Sequence, residues 1–233
     1  MNGPDPATPV TPESATERTY RGASDEQRRE ARRRRLLEAG LAIIGTRGYA
    51  AATLRAVCAE AELTERYFYE SFANREALLA GVHRDIVEAL RIELAGVFGQ
   101  PRADGQAAVR AGLAVFFEML RADPRKSRVL LFEMLGVSAE LDRVHQQAAG
   151  EFLRFLMSAL RPLVPAARMA RADESMVFAG LVGAVFHIAI RWHLTRYEAT
   201  LPTVTESCMV LFGSLSGATT EGGDSPPGAG LRP

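Results

Sequence analysis

Apolar residues along most of this chain recur at three- and four-residue spacing, the period at which an α-helix returns side chains to one face. Leu37, Leu41 and Ile44 share such a face, joined by Leu36, Gly40 and Ile43, and predict a helix over 25–46 that Gly48 ends. Thr53 is placed to cap a short helix over 54–61, and Thr64 another over 65–72. Asn74 can cap a fourth, reaching to about residue 97, whose stripe is Leu78, Val82, Ile86, Leu90, Leu94 and Val97. Pro101 interrupts the pattern. Longer helices are then predicted over 104–122, 125–136, 139–160, 173–196 and 202–215, punctuated by Asp123-Pro124, Pro162 and Pro165. No run alternates apolar and polar residues with β-branched enrichment, so the expected class is all-α.

Proline and low complexity mark the ends. Residues 1–24, with Pro4, Pro6, Pro9 and Pro12, and residues 216–233, rich in Gly, Pro, Ser and Thr, are expected to be disordered tails. Between them the expected domains are 25–80 and 81–215, divided on the fourth helix.

Composition adds little until it is read locally. The 233 residues are 47% apolar with a formal net charge of zero, ordinary for a globular protein. From Arg28 to Arg75, however, ten Arg face six Glu, and six of those Arg lie in the eight residues 28–35. A basic block beside short capped helices is the electrostatic footprint of a DNA binder. Cys58 and Cys208 stand far apart with no partner at metal-ligand spacing, so neither a zinc site nor a disulfide framework is indicated. The N-terminus lacks the apolar core of a signal peptide, and no uncharged apolar run reaches 18 residues. The expected setting is cytoplasmic, with no membrane.

Two short helices joined by a tight turn form a helix-turn-helix. In residues 53–72, Leu54, Val57, Leu63 and Phe68 are spaced to bury between the helices, and Cys58 and Ala61 are small enough to let them approach. The second helix would meet the major groove with its N-terminal residues. There Arg66 can donate two hydrogen bonds to guanine O6 and N7, or instead touch a phosphate or solvent. Tyr67 can meet a thymine methyl or a base edge, or pack on the helix surface. Thr53 and Arg75 stand at helix starts, where phosphate is favoured, although Thr53 also serves as a cap. Glu65 can accept from cytosine N4 or simply favour the helix N-terminus. Thr64 opens the reading helix. Of the basic run only part can face DNA, with Arg32 the chosen candidate.

Gly48-Tyr49, Thr53-Leu-Arg, Leu63-Thr64, Tyr69-x-x-Phe72 and Asn74-Arg75-Glu76-Ala-Leu-Leu occur here in one order and spacing. Over residues 28–82 the chain thereby resembles the tetracycline-repressor (TetR) family of bacterial regulators. The resemblance implies an N-terminal three-helix helix-turn-helix domain linked to a C-terminal helical ligand-binding and dimerisation bundle. It implies a phosphate contact for Tyr69, a small-molecule effector, and repression. Arg75 stands where the family usually has Lys, Glu62 where its turn usually has Gly, and Arg66 where Gly is frequent. The turn often needs positive φ, which costs a glutamate something.

The second half carries no such motif. Its expected ligand-binding residues are Phe116, Leu120, Phe132, Phe155, Phe178, His187, Arg191 and Trp192, most of which could equally be plain core. Gly180, Gly183, Ala184 and His187 form a small-residue face suited to close helix approach, to which Val204, Cys208 and Leu211 are added as a candidate dimer seam. A two-fold dimer would read a roughly palindromic double-stranded operator. No phosphate loop, nucleophile elbow or metal-ligand spacing appears, so neither an enzyme nor a cofactor is expected. The alternatives are a helical interaction protein or a DNA-binding regulator without a ligand.

Overall fold

The computed structural model describes residues 14–100, 104–163 and 173–216. Among these residues there are nine α-helices and no strand. They are α1 (Ser14–Arg47), α2 (Leu54–Glu60), α3 (Glu65–Ser71), α4 (Arg75–Phe98), α5 (Gly105–Ala122), α6 (Pro124–Arg128), α7 (Ala139–Leu160), α8 (Glu174–Leu194) and α9 (Leu201–Ser216).

Most boundaries fall within two residues of expectation, because caps set them locally. The Thr53 hydroxyl accepts from Ala56 N at 3.2 Å and the Asn74 carbonyl oxygen from Ala77 N at 2.8 Å. Asp173 likewise caps α8 through Met176 N. Thr64 departs from this: it occupies the cap position of α3, but its side chain makes no capping bond. Two larger departures have physical causes. Helix α1 begins at Ser14, so residues 14–24 of the expected tail are helical. The prolines stop at Pro12, and Glu17, Arg18 and Arg21 beyond them favour helix. The rest of that tail, and residues 217–233 of the other, lie outside the described residues. Residues 125–136 are also not one helix. The five-residue α6 passes into a π-helical turn, Val129–Glu133. This wider winding brings together Arg128 Nε and Glu133 Oε1 at 2.7 Å, residues five apart that an α-helix would turn away from each other.

The described chain forms two compact units. The first comprises the chain up to Val87 together with Asp123–Gln146; the second comprises Glu88–Ala122 and the chain from Gln147 onward. The expected boundary near residue 80 took no account of α6. Its backbone lies directly on α1: a Cβ at Gly45 would stand 2.7 Å from Arg125 Cα, so only glycine fits. Glu133 Oε2 accepts from Tyr49 N at 2.8 Å, and Arg128 donates to the Thr46 carbonyl at 3.1 Å. These bonds tie the π turn to the end of α1. The first unit's core includes Leu36, Ile43 and Ile44 of α1, Val57 of α2, Phe68 of α3, and Leu78 and Leu79 of α4.

His83 on α4 is buried in this unit, its ring centroid 5.5 Å from that of His145 on α7. Burial first, then the neighbouring His145 and Arg84 charges, lowers its pKa to about 4. Burial also lowers that of His145, whose Nδ1 has no hydrogen-bond partner. A histidine depressed when folded and ordinary when unfolded favours the native state at neutral pH, and that contribution is lost on acidification. The melting temperature should therefore fall as pH drops from 6.5 towards 4. His83→Phe should flatten that segment of the profile; an unchanged slope would remove His83 as its source.

In the second unit α9 packs on α5 and α8. Trp192 anchors it, edge-on to Phe117 and Tyr197, with its indole N–H donating to the Ala199 carbonyl at 2.8 Å.

Candidate functional site

Two short helices carry the first site. The α2–α3 turn closes through Glu62, whose φ of 49° is the left-handed conformation the sequence demanded of a non-glycine residue. The Glu62 carboxylate pairs with Arg35 of α1 at 3.0 Å, which helps hold this strained corner. Val57, Cys58, Ala61 and Phe68 are buried between the helices. Burial pushes the Cys58 thiol pKa up, so it stays protonated as packing.

The expected DNA-contact residues divide into three groups. Thr53, Thr64, Glu65, Arg66 and Tyr69 are exposed on α2, α3 and their caps. Arg66 leaves 84% of its side chain accessible, and its Nε donates to Glu70 Oε1 one turn later at 3.2 Å. Tyr67 and Arg75 are half-buried. Arg75 lies over the Tyr49 ring and donates to the Ala52 carbonyl at 3.4 Å, so it also braces the approach to α2. Arg32 is the third case. Its guanidinium lies 4.5 Å from the Tyr67 ring centre and 3.7 Å from Glu70, with 26% of the side chain accessible. Arg33 stacks on Phe72 in the same way. Three arginines of the basic run thus clamp the reader onto α1. The run's charge was legible in sequence; Glu62, Glu70, Tyr67 and Phe72 as its partners were not.

The second site is an apolar cavity of about 70 Å³ within the second unit. Leu94, Phe98, Val109, Gly112, Leu113, Phe116, Phe152, Leu156, Leu160, Phe178, Leu181, Val182, Val185, Phe186 and Phe212 line it, with no charged or hydrogen-bonding side chain. A Cβ at Gly112 would meet the Phe98 ring at 2.8 Å, so any larger residue there must displace that ring. Of the expected ligand residues only Phe116 and Phe178 reach the cavity. Leu120 and Trp192 are buried core, and Phe155 does not line it. Phe132 belongs to the first unit, on the π turn. His187 and Arg191 are exposed on the opposite side of α8 from its buried Val185, Ala189 and Trp192. Neither side chain lines the cavity. His193 Nδ1, on the same helix, is 2.8 Å from the Tyr197 hydroxyl.

The expected seam residues lie at the surface on α8 and only in part on α9. A Cβ at Gly180 or Gly183 would meet nothing within 4 Å, and Met176 and Leu194 on the same helix are largely exposed. By length and hydropathy α8 could cross a membrane, yet Phe178, Val185, Ala189 and Trp192 are committed to the unit's core. Val204 and Cys208, expected on the same seam, are buried inside the unit. Burial raises the Cys208 thiol pKa to about 11. Helix α9 turns these two residues inward, while Leu211, the third residue expected there, lies at the surface with Val210. Among the described residues no cluster of three His, Cys, Asp or Glu could hold a metal.

Residues 36–82 match the model of bacterial regulatory proteins of the tetR family. No curated protein matches the chain. Among solved structures, the fatty acid degradation regulator FadR from Bacillus halodurans is 15% identical, with a TM-score of 0.69 over 81% of this chain and 96% of its own. FadR from Bacillus subtilis, solved in complex with stearoyl-CoA, is also 15% identical, with a TM-score of 0.68 over 78% and 97%. A TetR-like transcriptional regulator from Rhodococcus is 18% identical, with a TM-score of 0.61 over 80% and 96%. At such identities these likenesses establish the shared fold. Residues 36–82 thus match the model of the tetR family of bacterial regulatory proteins, and the described residues share the fold of these regulators.

Proposed function

We propose that this chain is a cytoplasmic, non-enzymatic repressor that binds a palindromic operator as a homodimer and leaves it when an apolar small molecule enters the second unit. The observation that carries the ligand half is the wholly apolar lining of the cavity. One structural neighbour was solved with stearoyl-CoA, so a long acyl chain is the first ligand class to test here. The cavity is about 70 Å³, so a long acyl chain would extend beyond it or part its walls. A ligand that binds only a widened state shifts the equilibrium towards that state. Helix α4 runs on from the first unit into the second and is our candidate for the element that carries the change to the readers.

The DNA half rests on exposed Arg66 and Tyr69 on α3 and on exposed Thr53, which caps α2. Selection from random duplexes should return a two-fold site. Arg66→Ala should cost about 1–3 kcal/mol and relax preference at one base pair per half-site. Unaltered preference would mean that Arg66 reads no base.

A further inference from the structure

We propose that Glu70 is a specificity-determining residue of the reading helix, lowering affinity for unselected DNA while leaving Arg66 free to read a base. This rests on the reading of α3 as the DNA-contact helix. The Glu70 carboxylate takes up two cations of that surface at once. Oε1 accepts from Arg66 Nε at 3.2 Å and Oε2 lies 3.7 Å from Arg32. Glu70 is the inner partner, with 31% of its side chain accessible against 84% for Arg66.

The bond to Arg66 uses Nε and leaves the two terminal nitrogens for guanine O6 and N7, so the ion pair and a base contact can coexist. A backbone phosphate gains less. It must approach an arginine whose charge is already partly neutralised, beside a carboxylate that repels it. Arg32, held between Glu70 and the Tyr67 ring, is likewise withdrawn from the phosphates. The cluster of Arg32, Arg66 and Glu70 presents one net positive charge where Glu70→Gln would present two. Because unselected binding is chiefly phosphate neutralisation, the carboxylate subtracts from it more than from base reading.

The test compares a duplex recovered by selection with an unselected duplex of equal length, by fluorescence anisotropy across salt concentrations. In full-length Glu70→Gln, affinity for the unselected duplex should rise about tenfold and its salt slope steepen by about one. The ratio of selected to unselected affinity should fall about tenfold. In an Arg66→Ala background, Glu70→Gln should leave that ratio within about twofold, which a general loss of helix structure would not reproduce. A ratio that Glu70→Gln leaves unchanged or raises overturns the proposal, as does an equal fall without Arg66. Wild-type protein with no preference for any duplex would overturn the DNA reading itself.

Discussion

Gly183→Arg is expected to sediment at micromolar concentration as a 25.3 kDa monomer in place of a species of twice that mass. The reasoning starts from space. A Cβ at Gly183 meets nothing within 4 Å in the isolated chain, so an arginine there starts into open space. Leaving glycine in mid-helix should even favour α8 by about 0.5–1 kcal/mol. The penalty appears only if a second copy covers that face, where an arginine would be buried without a partner. Open positions at Gly180 and Gly183, with exposed Met176, Leu194, Val210 and Leu211, are what a partner would cover. Loss of the dimer should weaken operator binding by about 10²–10⁴-fold, because the second half-site no longer binds within the same complex. Gly96→Arg, on the open face of α4, serves as a control that should stay dimeric. A Gly183→Arg dimer with unaltered operator affinity would move the seam elsewhere.

A saturated long-chain acyl ligand is expected to raise the melting temperature and weaken operator binding by about 5–150-fold, the range of ordinary allosteric coupling. Linkage requires operator DNA to weaken ligand binding by the same factor, so two titrations check one number. Val182→Asn places an amide in a lining with no hydrogen-bonding side chain. Its effect should be to reduce ligand affinity by at least about tenfold, through an unsatisfied polar group, with operator affinity nearly unchanged. The exposed His187 and Arg191 lie away from the cavity, so alanine there should leave ligand affinity unaltered. Equal ligand affinity with and without operator would leave a DNA-binding protein and discard the sensor.

The reader was legible because its determinants are local. Thr53 and Asn74 cap across three residues, and the Glu62 turn shows its strain within a single residue. The helical period also marked Leu78, Val82, Ile86, Leu90 and Leu94, which are buried, and Val97, which is half-buried. A period without a phase misplaced Val204 and Cys208, because only packing on α5 and α8 decides which side of α9 faces inward. The same blindness put Phe132, Leu120 and Trp192 in the cavity: large apolar side chains look alike in sequence whether they fill a core or line a space.

The amino-acid sequence by itself determined the all-helical class, the helix-turn-helix with its caps and strained turn, and the excess of arginine beside it. Those follow from hydrogen bonds and apolar repeats within a few residues of each other. Tertiary structure alone decided that Glu133 would hold Tyr49 N across 84 residues, and that α6 would close on Gly45 within the first unit. It also decided that Arg32, Arg33 and Arg35 would clamp the reader and that five helices would leave an apolar void between them. Each of these depends on which distant surfaces meet, and burial rewards any of several apolar pairings until backbone approach and charge pairing select one.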